Sequence, residues 1–196
     1  MRIMNIFMLT MFIQLIFTIN SEYVKSDGLK IFSTSPIGPY KLIFKQTYSV
    51  NLAKNNTIQC NYYLSHRDNK TFIFGNTTLN IPFDDTLFLE LKMALKDSSG
   101  RWKENLYMQK WPNACSSLKK IIGNTWTAFV YGLGINHTNC PLPTGFHTGR
   151  GLDTSLFKYS NLPKTFLYGT YKVYFYFLQK NEIVGGQVYI LEFKRP

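Results

Sequence analysis

The sequence predicts an all-β chain: two antiparallel layers forming a β-sandwich or β-cup, with a short helical segment at its rim. Three observations predict it. Apolar and polar residues alternate with period two from Tyr40 to Lys110, the mark of half-buried antiparallel strands. A C-terminal stretch rich in β-branched and aromatic residues, TYKVYFYFL, turns at a polar tetrad and runs back. A single passage between them carries apolar residues at helical spacing.

Taken in order, Tyr40–Val50 sets Tyr40, Leu42, Phe44, Tyr48 and Val50 on one face, with Lys41, Lys45, Thr47 and Ser49 opposite. Thr57–His66 aligns Ile58, Cys60, Tyr62 and Leu64, and Arg67-Asp68-Asn69 reads as a turn. Thr71–Ile81 aligns Ile73, Leu79 and Ile81, leaving Asn76, Thr78 and Asn80 outward. Thr86–Lys96 has the cleanest alternation, with Leu87, Leu89, Leu91, Met93 and Leu95 in one row. Asp97-Ser98-Ser99-Gly100 supplies a hairpin turn, and Arg101–Trp111 returns with Trp102, Leu106 and Met108 together. Ala114–Ile122 reads as a helix with Asn113 as N-cap and Gly123 just past its end. Asn124–Leu133 reads as a short helix or loop over one end of the sheets. Thr170–Leu178 and Ile183–Lys194 form the last hairpin, with Val188 and Ile190 on one face and Tyr189, Leu191 and Phe193 on the other.

The N-terminus reads as an address. Arg2 precedes an apolar run, Ile6 to Ile19, too short for a comfortable membrane span and followed by the small Ser21. A secretory signal cleaved after Ser21 is the expectation, leaving residues 22–196 as one domain outside the cell. The acceptor pattern for N-glycosylation occurs at Asn55, Asn69, Asn76 and Asn136, which marks these as surface positions. With 22 Lys and Arg against 11 Asp and Glu the chain carries a net charge of +11. That favours anionic membranes, glycolipids or polyanions. Nucleic acid is not an expected partner, because the basic residues are dispersed and the compartment is extracellular.

Three cysteines in an oxidising compartment imply one disulfide plus one leftover thiol, or pairing between chains. Cys60 falls on an apolar face and suits a buried thiol. Joining Cys115 to Cys140 would staple the helical passage. A zinc site built from His137, Cys140 and His147, with Cys115, matches no common ligand spacing. No metal or other cofactor is expected. Neither is an enzyme: there is no G-x-S-x-G elbow, His66 lies near a turn, and Glu90, Asp97, Glu104 and Asp153 lie on polar faces or turns.

Several residues fit a known pattern. Cys140-Pro141, Gly145-Phe146, Leu162-Pro163 and Gly169-Thr170-Tyr171, with the segments WPNAC and GNTW, resemble the ganglioside-activator-like family with MD-2-related lipid-recognition folds. Within it, the chain looks closest to the secreted insect proteins that include the CheA-type chemosensory proteins. The resemblance implies a β-cup around an apolar cavity, a Cys115–Cys140 disulfide, and no covalent chemistry. On that basis the expected activity is to solubilise or present a lipid or other apolar small molecule, in a chemosensory, hormone or immune context. The expected lining is the Leu87, Leu89, Leu91 and Met93 row. Opposing walls come from Leu42 and Phe44, from Ile73 and Leu79, and from Val173 and Phe175. Trp126, Phe129 and Val130 sit at the mouth. Lys119 and Lys120, beside the apolar Trp126–Leu133 segment, suit contact with an anionic membrane surface. The rival expectation is a secreted interaction module with a filled core acting on a receptor, since the same alternation builds a close-packed sandwich.

Overall fold

The computed structural model describes residues 36–50 and 56–196. The expected signal segment and Asn55 lie outside these residues. The chain is mostly β. In chain order the strands are β1 (Ile37–Pro39), β2 (Lys41–Ser49), β3 (Ile58–Arg67), β4 (Lys70–Leu79), β5 (Phe88–Lys96) and β6 (Trp102–Trp111). Two short helices follow, α1 (Ala114–Ile122) and α2 (Trp126–Gly132). The rest is β7 (Gly145–Thr148), β8 (Leu152–Asp153), a 3-10 turn (Thr154–Tyr159), β9 (Thr165–Leu167), β10 (Gly169–Gln179) and β11 (Glu182–Lys194).

Nine strands make one strongly bent sheet in the order β6-β5-β10-β11-β3-β4-β7, with β2 also on β11 and β8 on β4. The bend is at β11. Its second half pairs β2 antiparallel, whereas its first half meets β3 in parallel through the single pair Gly185–Ile58. The β2, β11, β10, β5 and β6 part therefore forms one layer, and β3, β4, β7 and β8 the other. The hairpin turns follow the residue chemistry. Asp68 and Asn69, and Lys180 and Asn181, all adopt the positive φ that tight hairpins demand; Asp68, Asn69 and Asn181 are of the types that tolerate it, and Lys180 is not. At the β5–β6 turn the Asp97 carboxylate accepts from the backbone N–H groups of Ser99 and Arg101.

Two apolar clusters fill the interior. One packs Ile58, Leu79, Leu87, Leu89, Val130 and Phe177 under the helices. The other packs Phe44, Ile73, Met93, Tyr171, Val173, Leu191 and Phe193 towards the far end. A polar seam runs between them: Tyr62 shares a hydrogen bond with Thr77 at 2.5 Å, and buried Gln187 donates to Thr47 at 2.5 Å.

Two registers differ from expectation, both through bulges. Leu191 pairs with Phe44 but Ile190 pairs with Gln46, so Lys45 is an extra residue. Leu42 and Phe44 face inward as expected, whereas Tyr48 crosses to the outer face beside Val188. In β6, Glu104, Asn105 and Leu106 together oppose Ala94, with Asn105 at φ 57°. Trp102 and Met108 therefore share the outer face, but Leu106 belongs to the bulge and not to their row.

Helix α1 has the expected ends and an unexpected cap. Asn113 is left-handed and its side chain caps nothing. The free N–H groups go instead to the loop before β5: Ala114 donates to the Leu87 carbonyl, and the Ser116 N–H and hydroxyl to the Asp85 carboxylate at 2.8 and 2.5 Å. An acidic partner at a helix N-terminus also complements the dipole.

The Cys115–Cys140 disulfide is formed, and Cys60 is a buried free thiol. Burial pushes the Cys60 thiol up from 9.0 to about 11, and burial likewise raises the Tyr62 and Tyr189 phenols. Two outcomes follow. Ellman's reagent at pH 8 should leave the native protein unlabelled and modify one thiol per chain once it is unfolded without reductant. Stability should also fall with alkali. The unfolded thiol deprotonates first, so its contribution is complete below about pH 9 and is lost as pH rises through 11. A shift of this size corresponds to about 2–3 kcal/mol. Urea midpoints at pH 8 and pH 11 check this, and Cys60→Ala should flatten part of the drop.

Candidate functional site: a cleft between the two layers

The end of β2 meets the start of β3. There the Ser49 hydroxyl donates to the Cys60 carbonyl. At their opposite ends a cleft of about 530 Å³ opens between Tyr40–Phe44 and the β3–β4 turn, Asn69 to Thr71. The 3-10 turn closes its third side with Thr154, Ser155, Phe157 and Lys158, and Leu162, Pro163 and Lys164 close the fourth.

Each wall is fixed by contacts that its sequence provides. Phe44 packs its ring on Phe157 at 5.2 Å between centroids, which forms the floor. The Tyr40 hydroxyl donates to the Pro163 carbonyl at 2.7 Å, tying the start of β2 to the last wall. The Thr154 hydroxyl donates to the Thr71 carbonyl at 2.9 Å and holds the 3-10 turn against β4. Asp153 caps that turn by accepting from the Ser155 N–H at 2.8 Å. Asn161 anchors the last wall to α1, its N–H and side-chain amide donating to the Ile121 and Lys120 carbonyls at 3.1 and 2.7 Å.

The lining is apolar below and cationic above. Leu42, Phe44, Phe157 and Leu162 give the apolar surface, whereas exposed Lys41, Lys70, Lys158 and Lys164 stand around it. Asp153 is the one acid in the lining, so four lysines against one aspartate leave +3. Lys70 lies 3.5 Å from Asp153. Burial alone would raise the Asp153 pKa, but hydrogen bonds from Ser155 and the Lys70 charge outweigh it and hold the carboxyl below its usual range.

Of the sequence-predicted lining, Leu42 and Phe44 stand at this cleft. Ile73, Met93 and Val173 lie in the cluster behind it, with Leu91 and Phe175 half-buried against that cluster. Leu79, Leu87, Leu89, Trp126 and Val130 lie in the other cluster, under the helices, where Leu89 and Val130 are fully buried. The expected mouth is corrected accordingly: Trp126 and Val130 turn inward, Trp126 stacks on Phe129 at 5.9 Å, and its indole N–H donates to the Thr138 carbonyl. Lys119 and Lys120 are exposed, and in the segment beside them Ala128 and Tyr131 are exposed, Phe129 and Leu133 half-buried, and Trp126 and Val130 buried. The gap nearest the interior, bounded by Thr125, Phe129, Leu152, Leu156 and Phe157, has no room for a water molecule.

Sequence reasoning missed Tyr40, Phe157, Leu162 and the four lysines. The 3-10 turn has no period to detect. The one available signal was Asp153 two residues before Ser155, an Asx-type cap. The sequons at Asn69 and Asn136 are exposed. Asn76 is half-buried on the outer face, where its amide oxygen accepts from Asn61 at 3.3 Å, in the expected register. Cys115 and Cys140 are spent in the disulfide, and the His147 ring pairs with the Pro143 carbonyl at 3.2 Å, so these three of the zinc candidates already have partners. Among the described residues no group of three or more His, Cys, Asp or Glu side chains is placed to hold a metal ion. No protein-family model matches the chain, and comparison with curated proteins gives no significant match.

Proposed function

We propose that this protein binds a lipid or other apolar small molecule and carries it without chemical change. The observation that supports the reading is the cleft. Its volume of about 530 Å³ falls in the range of small-molecule sites, and aromatic and aliphatic side chains floor it. The ligand seat is therefore at the open ends of β2 and the β3–β4 hairpin, with Leu42 and Phe44 as its shared wall. Secretion and glycosylation join the reading from the N-terminal apolar segment and the acceptor motifs, and a chemosensory role joins it from the sequence resemblance. A sugar on Asn69 would stand at the lip of the cleft.

The neutral fluorophore N-phenylnaphthylamine tests this. It should brighten on the protein, and Leu162→Gln should weaken its binding about tenfold, the order expected for one buried leucine. Leu162 belongs to a loop and to neither cluster, so the variant should melt within about 1 kcal/mol of the parent. Unchanged binding in that variant would remove the cleft as the seat.

A second reading has its own observation. β6 is an edge strand whose Leu106, Tyr107 and Met108 are 52, 45 and 53 % exposed. An exposed apolar edge suits pairing with another protein. Failure to take up the fluorophore, with a protein partner lost on Met108→Lys, would favour an interaction module.

A further inference from the structure

We propose that the cleft selects a single-chain amphiphile with an anionic headgroup, the carboxylate of a long-chain fatty acid, and that Lys41 and Lys158 hold that headgroup. This rests on the apolar-ligand reading above and names the ligand class for the same site.

The argument is one of charge placement. The lining has two chemical levels, an apolar floor around Phe44 and Phe157 and a rim of lysines. A molecule that satisfies both has an apolar tail and a negative head. The rim charges are not equally free. Lys70 is engaged with Asp153, and Lys164 donates to the Ser160 carbonyl at 3.3 Å. Lys158 lies over the Tyr159 ring at 4.6 Å, a contact that leaves its charge uncompensated by any acid. Lys41 sits opposite Lys194 in the β2–β11 register, so its nearest strand partner repeats its sign. Lys41 and Lys158, on two different walls of the cleft, thus have neither an acid nor a carbonyl as partner among the described residues. An anion between them gains two attractions. An uncharged alcohol of the same tail length gains neither.

The Asp153 carboxylate is part of the lining and is engaged by Lys70. A headgroup directed towards Lys41 and Lys158 avoids it. The two lysines are exposed, so their attraction is screened by salt, with a screening length of about 8 Å at physiological ionic strength.

The test displaces N-phenylnaphthylamine from the full chain with sodium oleate, oleyl alcohol or sodium acetate, below the micellar range and at low salt. Oleate should compete at roughly tenfold lower concentration than oleyl alcohol, the order for two exposed ion pairs. The preference should shrink in 0.5 M salt and vanish in Lys41→Glu/Lys158→Glu. That variant alters two exposed side chains and should keep its melting temperature, and each competition is referred to the variant's own fluorophore affinity. Acetate should not compete. Equal competition by oleate and oleyl alcohol would overturn the headgroup assignment while leaving the apolar seat intact. Failure of both tails to compete would overturn the seat as well. Competition by acetate as strong as oleate would mean a bare anion site and would also overturn the proposal. An oleate preference that survives the double reversal would remove Lys41 and Lys158 from it.

Discussion

Gly185→Ala is expected to cost more than about 3 kcal/mol and to separate the two layers of the fold. Gly185 is the residue at which β11 leaves β2 and meets β3, and the Gly185–Ile58 pair is the one ladder contact between these strands. A Cβ on Gly185 would stand 2.1 Å from the Ile58 carbonyl oxygen and 2.6 Å from the Ile58 Cβ. The first is backbone, and Ile58 is itself 1 % exposed, so no flexible side chain can yield. Relief requires the strands to part, which opens the roof over Leu79, Leu89 and Phe177 in the cluster beneath. A loss of this size is a large share of the 5–15 kcal/mol that holds a typical domain together. The urea midpoint checks it, with Gly100→Ala as the control. At Gly100 the added Cβ meets nothing closer than the end of Lys96 at 3.9 Å, but φ is +84°. That variant isolates the cost of backbone strain, about 1 kcal/mol. If Gly185→Ala costs no more than Gly100→Ala, the seam is not where the layers are joined.

This seam also marks the boundary of what the sequence could convey. Alternation placed the strands because each side chain in a half-buried strand answers to one neighbouring face. The Leu87–Leu95 row and the turns at Asp68-Asn69 and Asp97–Gly100 were legible for that reason. Faces were misassigned where a residue was added opposite a partner, since Lys45 and the Glu104–Leu106 bulge change facing without changing composition. The α1 cap was invisible for a different reason. Asn113 has the residue type of a cap, but Asp85 does the work from about thirty positions earlier in the chain, and only tertiary structure brings it there. The cleft combines both difficulties. Leu42 and Phe44 come from a strand with a readable face. Phe157 and Leu162 come from a 3-10 turn and a loop, where no period exists and position is set by the Asp153 cap, the Tyr40 hydroxyl and Asn161.

Removing the disulfide as Cys115→Ala/Cys140→Ala is expected to cost about 3–4 kcal/mol, the chain-entropy value for the closed loop. The bridge spans 25 positions that contain both helices. Without it the unfolded chain gains freedom, and Cys115, fully buried between Ala114 and the β5 end, leaves a small void. For a domain of this size that corresponds to a fall of roughly 10 °C in melting temperature. Alanine is the right probe because it adds no buried polar group. The consequence reaches the cleft through one residue. Asn161 fastens the Leu162–Lys164 wall to the last turn of α1, and its side chain lies so close to Gly123 that a Cβ there would sit 2.7 Å away. Slack in α1 therefore becomes slack in the cleft wall. The double variant should weaken N-phenylnaphthylamine binding several-fold at temperatures where it remains folded, and amide exchange should quicken in α1 and around Asn161 before it does in β10. Cys60→Ala lies in the same cluster but touches neither helix end nor cleft, and should leave fluorophore binding unchanged. A destabilised double variant with full fluorophore affinity would keep the staple as a stability element and break its link to the cleft. One that melts within 2–3 °C of the parent would remove the staple altogether.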